Sequence, residues 1–447
     1  MFEQFLYSIN TGLFPNIYTL LLVMLPIAMP FMLFYVFFVM RFRWIQMKFV
    51  ESQKTCLLEI KLPKEITKSP AAMEIFFSHL QQSGAGGYAE AYLDGKTRPW
   101  FSCELVSIGG EIKFYVWCSQ AKFKNIVEAQ LYAQFPNIEI FEAKEDYTKN
   151  IPYDPDKYFT YGVQYALTKS DPFPIKTYID YGLDADQKDE YKIDPMSAVI
   201  EFLGSMKKSE NIWIQILLQK HEPEGWKHGV MKIDKDPKKA NWFFKFLIYL
   251  FGRSKSLKEE VKKEIEDIKK ASIIEVPGKE MSFKLPNPSK GQQEVIAALE
   301  RSASKIPFDC MVRGLYIAES TGMNPVNIGG LINSFRQYSS QTLNGFKPGY
   351  RTDMSDEYKD VVRFFFPFWT NHMNKKIAKR KKKIFHAYKL RSFFQWPYKN
   401  LGDKPPFVLT TEELATIFHF PSGIVSQTPT LNRVPSKKSE APANLPI

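Results

Sequence analysis

Two stretches of the sequence contain residues of the types that hold nucleotide phosphates. Residues 94–97 (DGKT) resemble the end of a phosphate-binding loop, whose backbone amides and lysine cradle phosphate oxygens. That loop requires a glycine five positions before its second glycine, and this position is Glu90. Gly84, Gly86 and Ala89 match the GxGxxA spacing of dinucleotide-binding proteins, but they follow a predicted helix instead of a strand. We therefore expect neither stretch to bind a nucleotide.

Histidine and cysteine, the residues that most often ligate zinc or act as nucleophiles, are few and scattered. The chain has 6 histidines and 4 cysteines, with no HExxH zinc motif, no CxxC pair and no GxSxG nucleophile motif. We predict that the protein is not an enzyme and that it has no catalytic residue, cofactor or metal. We expect the four cysteines to be reduced and buried, which fits a cytosolic compartment. They are Cys56, Cys103, Cys118 and Cys310.

The most concentrated chemical feature is a basic segment. Between Lys375 and Lys399 the chain has ten Lys or Arg residues and no Asp or Glu, against a net charge of +12 for the whole sequence. Six aromatic residues follow its core between Phe385 and Tyr398. Such a segment can bind nucleic acid, bind anionic lipid or form only a solvated helix face, and the sequence leaves these alternatives open. The candidate nucleic-acid- or lipid-binding residues are Lys375, Lys376, Lys379, Arg380, Lys381, Lys382 and Lys383.

An uncharged N-terminal stretch predicts a membrane anchor. No charged residue lies between Glu3 and Arg41, and residues 17–40 are almost wholly apolar, which is enough to cross a hydrocarbon core of about 30 Å. A cleaved signal peptide and a buried core helix are the alternatives, but the stretch is long and no basic residue precedes it. The basic residues that flank the stretch on its C-terminal side are Arg41, Arg43 and Lys48. Because basic flanks stay in the cytoplasm, they predict an extracytoplasmic N-terminus at residues 1–16 and a cytoplasmic body.

Residues 55–145 predict a ferredoxin-like domain with the order β-α-β-β-α-β. Leu58, Ile60 and Leu62 alternate with charged residues, as in a half-buried strand. Two further strands meet across Gly109-Gly110, a dipeptide able to form a tight hairpin turn. Apolar residues at helical spacing fill the two intervening segments.

A second, related α/β domain is predicted at residues 157–350, with a helical insertion at residues 221–286. Within the insertion, Trp242 to Phe251 is very apolar, and either the membrane interface or the protein itself would cover it. A basic aromatic helical segment follows at residues 355–400, and a Pro-rich C-terminal tail at residues 401–447. The fold class is therefore α+β, with one N-terminal transmembrane helix.

Three regions of the chain resemble a known protein family. They are residues 62–80 with 98–117, residues 123–141, and residues 410–447, which begin TTEELATIFHFP. Together they look like the membrane-anchored N-terminal region of TraG-like ATPases of bacterial type IV secretion and conjugation. In such proteins the EELATIFHFP stretch leads into a P-loop motor domain, and this chain stops at Ile447, where the motor would begin.

The resemblance implies a location and partners. The protein would be a single-pass protein of the bacterial inner membrane and a non-catalytic subunit that docks a separately encoded P-loop ATPase. The alternative is a membrane-tethered nucleic-acid-binding protein that uses residues 375–399. DNA, anionic lipid and a second copy of the chain, in a homo-oligomer, remain open as further partners.

Overall fold

The computed structural model describes residues 14–63, 66, 68–82, 86–184, 193–222, 256–276, 283–353, 370–402 and 405–421. Its first element is a long helix, α1 (Phe14–Ser52), which contains Pro26 and Pro30. Among the described residues, α1 is the one helix long and apolar enough to cross a membrane, and its large apolar side chains from Met24 to Met40 are mostly exposed. A leader sequence would pass the same test of length and composition.

The first half of the body alternates strands and helices. Its elements are β1 (Cys56–Lys61), α2 (Ala71–His79), α3 (Tyr88–Leu93), β2 (Trp100–Ile108), β3 (Glu111–Cys118), α4 (Lys124–Gln134) and β4 (Glu139–Glu142). The hairpin between β2 and β3 turns at Gly109 and Gly110, whose φ values of +59° and +90° are those that residues with a side chain rarely adopt. Every neighbouring pair of strands is antiparallel, in the order β4-β1-β3-β2.

The second half repeats this pattern. Asp194 and Asn324 each begin a helix by accepting a hydrogen bond from the backbone N–H two residues later, and proline follows each of them at the first helical position. The elements are β5 (Tyr158–Leu167), α5 (Pro195–Gly204), β6 (Glu210–Lys220), β9 (Pro307–Glu319), α8 (Pro325–Asn333) and β10 (Phe346–Arg351). The strand order is β10-β5-β9-β6, and neighbouring strands are again antiparallel.

The two halves form one sheet because β2 and β6 pair directly, from Trp100 opposite Gln219 to Ile108 opposite Asn211. Within the second half, α6 (Leu257–Ala271) packs on α7 (Lys290–Ser304), and a small hairpin of β7 (Ile273–Val276) and β8 (Phe283–Pro286) lies between them in the chain. Three later elements complete the body: α9 (Thr370–Lys389), β11 (Phe407–Thr410), which pairs with the start of β9, and α10 (Thr411–Ile417).

The sheet has two covered faces. Cys103 and Leu105 belong to the large apolar core shared with α2, α4, α5, α8 and α10. Trp100 and Val106, on the alternate positions of the same strand, belong to a second core shared with α9 and the segment after it. Val50, near the end of α1, packs against this second core. We call the first side the helical face and the second side the α9 face.

The α+β class is confirmed, and one apolar N-terminal helix precedes a sheet that is antiparallel throughout. The predicted ranges 55–145 and 157–350 share one nine-stranded sheet, so the body is more continuous than two separate domains. Residues 407–421, which the sequence assigned to the C-terminal tail, form β11 and α10 and are buried. Residues 242–251 and 422–447 lie outside the described residues.

Candidate functional site

Five lysines form an exposed stripe along α9. Their spacing of i, i+1, i+4, i+7 and i+8 places them on one side of a helix. The helix contains no Asp or Glu, and none of the five forms an ion pair with another residue that the structure describes. We call this stripe the lysine face; it comprises Lys375, Lys376, Lys379, Lys382 and Lys383.

The opposite side of α9 is buried against the sheet. Phe385 and Tyr388 pack against Trp213 of β6, with ring centroids 6.3 and 5.6 Å apart. Gly162 of β5 lets the helix approach, because an added Cβ there would lie 2.7 Å from Cγ2 of Ile384. Stacking on bases or contact with lipid were two of the alternatives that the sequence left open for the aromatic residues of this segment. Four of them are instead buried in the α9 face: Phe385, Tyr388, Phe393 and Phe394.

Three polar residues cross the middle of the sheet in one row beneath α9. Glu104 of β2, Gln215 of β6 and Arg313 of β9 are direct cross-strand neighbours, and all three are fully buried. The Gln215 amide nitrogen donates to a carboxylate oxygen of Glu104 at 2.6 Å. The Arg313 guanidinium Nε donates to the Gln215 amide oxygen, also at 2.6 Å. Gln215 therefore bridges a buried anion and a buried cation.

Arg391, which follows α9, joins the helix to this row. Its Nε and Nη2 donate to the two carboxylate oxygens of Glu104 at 2.9 and 3.0 Å, and it also pairs with Asp146. Arg313 donates to the backbone carbonyl oxygens of Ala387 at 2.8 Å and Ser392 at 3.2 Å. A cation thus satisfies carbonyls at the C-terminal end of α9, where the helix dipole favours positive charge.

The protonation equilibria follow from burial. Burial lowers the pKa of Arg313 to about 9, although nearby Tyr388 and Glu104 act in the opposite direction. Burial also disfavours a charged Arg391, but the Glu104 carboxylate holds the pKa of Arg391 well above its ordinary value. Burial raises the pKa of the Tyr147 phenol, which donates to Glu104 at 2.7 Å. These groups are buried and bonded to one another, so the arrangement fixes the position of α9 on the sheet.

A cleft lies between α9 and the start of β5. Its volume is ≈ 130 Å³. The ammonium of Lys381 lies 4.4 Å from the centroid of the Phe159 ring, and burial lowers the pKa of Lys381. Lys381 and Arg380 are partly buried, in contrast to the other candidate basic residues. The lining is polar and aromatic, and it comprises Tyr153, Pro155, Tyr158, Phe159, Thr160, Ser320 and Lys381.

The predicted membrane-flanking residues lie where α1 enters the body. Arg41 is exposed, and the guanidinium carbon of Arg43 lies 4.3 Å from the ring centroid of Trp396 in the segment after α9. The ammonium of Lys48 lies 5.2 Å from the centroid of the Trp44 ring. Neither contact was predicted from the sequence. The contact between Arg43 and Trp396 brings the end of α1 close to the basic segment.

The other sequence candidates have structural partners. The Glu90 carboxylate accepts from the Lys96 ammonium and from the backbone N–H of Gly87, so this lysine is held by a carboxylate within the segment that resembles a phosphate loop. His419 pairs with Asp194 at 3.0 Å. In the described part of the chain no group of three or more His, Cys, Asp or Glu residues could hold a metal ion. The four cysteines are free and buried, as expected.

The buried polar row was missed, although the sequence contains a signal for it. Glu104 and Arg313 are the charged residues in two strand segments that otherwise carry only uncharged, mostly apolar residues, FSCELVSI and CMVRGLYIA. A lone charge in a buried strand requires a partner of opposite charge or a hydrogen bond. Pairing these two residues would also have predicted that their strands share one sheet.

Comparison with known proteins gives one family match. The model of a family described as a domain of unknown function, DUF8128, matches residues 48–432, which include the whole sheet and α9. A search of curated proteins finds no match.

Proposed function

The chain belongs to the DUF8128 family, and we propose that it is a non-catalytic, membrane-anchored subunit of a type IV secretion or DNA-transfer-like apparatus. In this role it docks a separate P-loop motor ATPase and carries out no reaction itself. The observation that best supports the proposal is that the segments proposed to anchor the protein and to dock the motor lie on opposite faces of the sheet. The end of α1 and α9 lie on the α9 face, and α10 lies on the helical face.

We propose that α1 anchors the protein in the bacterial inner membrane, with its N-terminus outside and the body in the cytoplasm. Phe42, Ile45 and Gln46 are buried where the end of α1 meets the body. Phe38, inside the apolar stretch, also contacts the body, since its ring centroid lies 5.6 Å from that of Tyr92. A leader that is cleaved after its apolar stretch would not contribute the contact of Phe38. The basic residues that follow the stretch favour this orientation.

The docking role rests on α10 and the segment that follows it. Residues 410–421 contain the EELATIFHFP sequence of the family resemblance, and all of them are buried. Thr410 caps α10, and the Glu413 carboxylate accepts from the backbone N–H of Ile175 at 2.9 Å. This firm attachment would transmit force between a bound motor and the body.

Affinity purification of the tagged full-length protein from its native membrane, in mild detergent, tests this role. We expect mass spectrometry to identify a P-loop ATPase after a moderate salt wash. A variant that ends at residue 421 keeps the described body and should lose the ATPase if residues 422–447 carry the attachment. Failure to recover any P-loop ATPase with the full-length protein would contradict the proposal.

Nucleic-acid binding is a second candidate function, favoured by the lysine face. Replacement of its five lysines by glutamine should abolish most of the binding of a labelled DNA duplex, measured by fluorescence anisotropy. A plot of log affinity against log salt concentration has a negative slope, and each lost phosphate contact should make that slope less steep by about 0.9. Helix α6 offers a matched control with the same loss of charge, because it also exposes five lysines but intersperses them with acidic residues: Lys258, Lys262, Lys263, Lys269 and Lys270.

The control set should leave DNA affinity nearly unchanged. If the α9 and α6 variants lost DNA affinity equally, the loss would be due to the overall charge of the protein. That result would contradict a binding site on α9. Binding of the unmodified protein to vesicles that contain anionic lipid, with no binding to DNA, would assign the lysine face to lipid.

We also propose that each half of the sheet is a ferredoxin-like unit and that the body is a duplication of it. Both halves have the strand order 4-1-3-2 and a helix after their first and third strands, with an insertion before β9 in the second half. An experimental structure whose halves superpose strand for strand would support this. Halves with helices on opposite faces of the sheet would contradict it.

A further inference from the structure

The region where α1 meets the body exposes large apolar side chains beside the apolar stretch. The ring of Tyr92, in α3, lies 5.6 Å from that of Phe38 and 4.9 Å from that of Phe42, measured between centroids. These two phenylalanines lie one helical turn apart on either side of Arg41, the first charged residue after the apolar stretch. Tyr92 is therefore at the level where hydrocarbon gives way to lipid headgroups if α1 crosses a bilayer.

Two neighbouring side chains are exposed at nearly the same level. Leu93, the last residue of α3, is 65% exposed, and Trp44, three residues after Arg41, is 60% exposed. Three residues of helix correspond to a rise of about 4.5 Å, so Trp44 stays within the headgroup layer. Tryptophan and tyrosine concentrate in this layer, because their rings are apolar and their N–H or O–H groups are polar.

The contacts that follow hold α3 at this depth. Gly95 packs on α1, since an added Cβ there would lie 2.5 Å from the backbone oxygen of Ile45. The Glu90 carboxylate then ties α3 to Lys96. Because α3 is fixed to α1 at two levels, the depth of α1 in the membrane sets the depth of Leu93.

We propose that α3 and Trp44 form a membrane contact in which Leu93, Tyr92 and Trp44 insert into the cytoplasmic leaflet that α1 crosses. The occupant of this surface is lipid, because Tyr92 is continuous with the apolar stretch through its contact with Phe38. Arg43, which stacks on Trp396, and Lys48, which lies over Trp44, are placed to meet lipid phosphates. The body is then held against the bilayer at a fixed orientation. This inference rests on the proposed anchoring by α1.

Site-directed spin labelling of the full-length protein tests the contact. The four native cysteines are buried, so Leu93→Cys supplies an accessible thiol for a nitroxide label. The protein is reconstituted in vesicles of phosphatidylcholine and phosphatidylglycerol, and collisions of the label with oxygen and with a water-soluble nickel chelate are compared. Phe31→Cys, at a position 74% exposed within the apolar stretch, reports on the anchor, and Val326→Cys, at a position 76% exposed on α8, reports on water.

Oxygen collisions that exceed nickel collisions at both position 31 and position 93, with the reverse at position 326, would support the contact. A label at position 93 that behaves like the one at position 326, while position 31 remains in lipid, would overturn the contact and leave the anchor intact. Nickel access at position 31 equal to that at position 326 would overturn both the anchoring and the contact that depends on it.

Discussion

Arg391 and Glu104 form a two-bond ion pair between the segment after α9 and the centre of the sheet, with distances of 2.9 and 3.0 Å. The two residues are 287 positions apart in the chain and almost completely inaccessible to solvent. The pair is therefore the point at which a late part of the chain is attached to the first half of the sheet.

Replacement of Arg391 by methionine should destabilise the protein strongly. Glu104 would stay buried without its guanidinium partner, and an uncompensated buried charge of this kind costs about 3–5 kcal/mol. Urea unfolding of the detergent-solubilised full-length protein, followed by tryptophan fluorescence, would measure the loss. The double variant R391M/E104L should recover only part of the loss, because it removes the uncompensated charge but leaves the Tyr147 hydroxyl and the Gln215 amide without their acceptor. Equal losses in the single and double variants would show that the loss has another cause.

Gly162→Ala should lower the free energy of unfolding by about 1–3 kcal/mol, because overpacking displaces neighbouring side chains. The new Cβ would meet Ile384 of α9 and Leu315 of β9, at 2.7 and 2.9 Å. Gly329→Ala in α8 is the matched control, since no atom lies within 4 Å of its added Cβ. That control should stabilise the protein by up to about 1 kcal/mol. Comparable unfolding midpoints for the two variants would contradict the close packing of α9 on β5.

Stability should fall as the pH rises from about 5 to above 7. Burial raises the pKa of Glu413 from 4.5 to about 7. Burial alone would lower the pKa of His419, but the Asp194 carboxylate raises it above the ordinary 6.5. In both cases the folded state holds a proton that the unfolded state releases, so a rise in pH favours unfolding.

Thermal unfolding as a function of pH would measure this slope. Glu413→Gln should flatten it between about pH 4.5 and 7, and His419→Gln should flatten it above about pH 6.5. Asp194 affects stability in the opposite direction. Burial alone would raise the pKa of this carboxyl, but His419 holds the pKa below 3.8. The stability that the ionised Asp194 contributes is therefore lost only at strongly acid pH. His79→Gln, at an exposed position, is the control. A slope in both buried-site variants as steep as that of the unmodified protein would contradict the assignment.

Thr410→Val should lower stability by about 1–2 kcal/mol, because the isosteric side chain cannot cap α10. The Thr410 hydroxyl donates to the Glu413 carboxylate at 2.8 Å and accepts from the Glu413 backbone N–H. Thr410→Ser keeps both bonds and should change stability much less. Chemical denaturation of the two variants side by side makes the comparison, and similar losses would place the effect in packing instead of the cap.

Local patterns predicted much of the fold correctly. The alternation in β1 and the hairpin glycines 109–110 depend only on neighbouring residues, and both lie where expected. The seam between β2 and β6 could not be predicted in this way, because both strands are buried on both faces and a central strand carries no local signal that names its neighbour.

The candidate site was predictable in part for a similar reason. Composition located the basic segment, and helical spacing would have separated the lysine face from Ile384 and Tyr388. The cleft beside Lys381 and the contact between Arg43 and Trp396 depend on residues distant in the chain. Only the tertiary structure brings these residues together.

The pairing of β11 with β9 has a consequence for the biogenesis of the protein. Helix α1 is made before the rest of the body, whereas β11 and α10, which cover part of the helical face, are made roughly 370 residues later, or about 20–70 s at translation rates of about 5–20 residues per second. A nascent chain therefore exposes part of its apolar core until residue 421 has emerged. If α1 anchors the chain as proposed, ribosomes that stall before that point would leave incomplete chains at the membrane with this apolar surface uncovered.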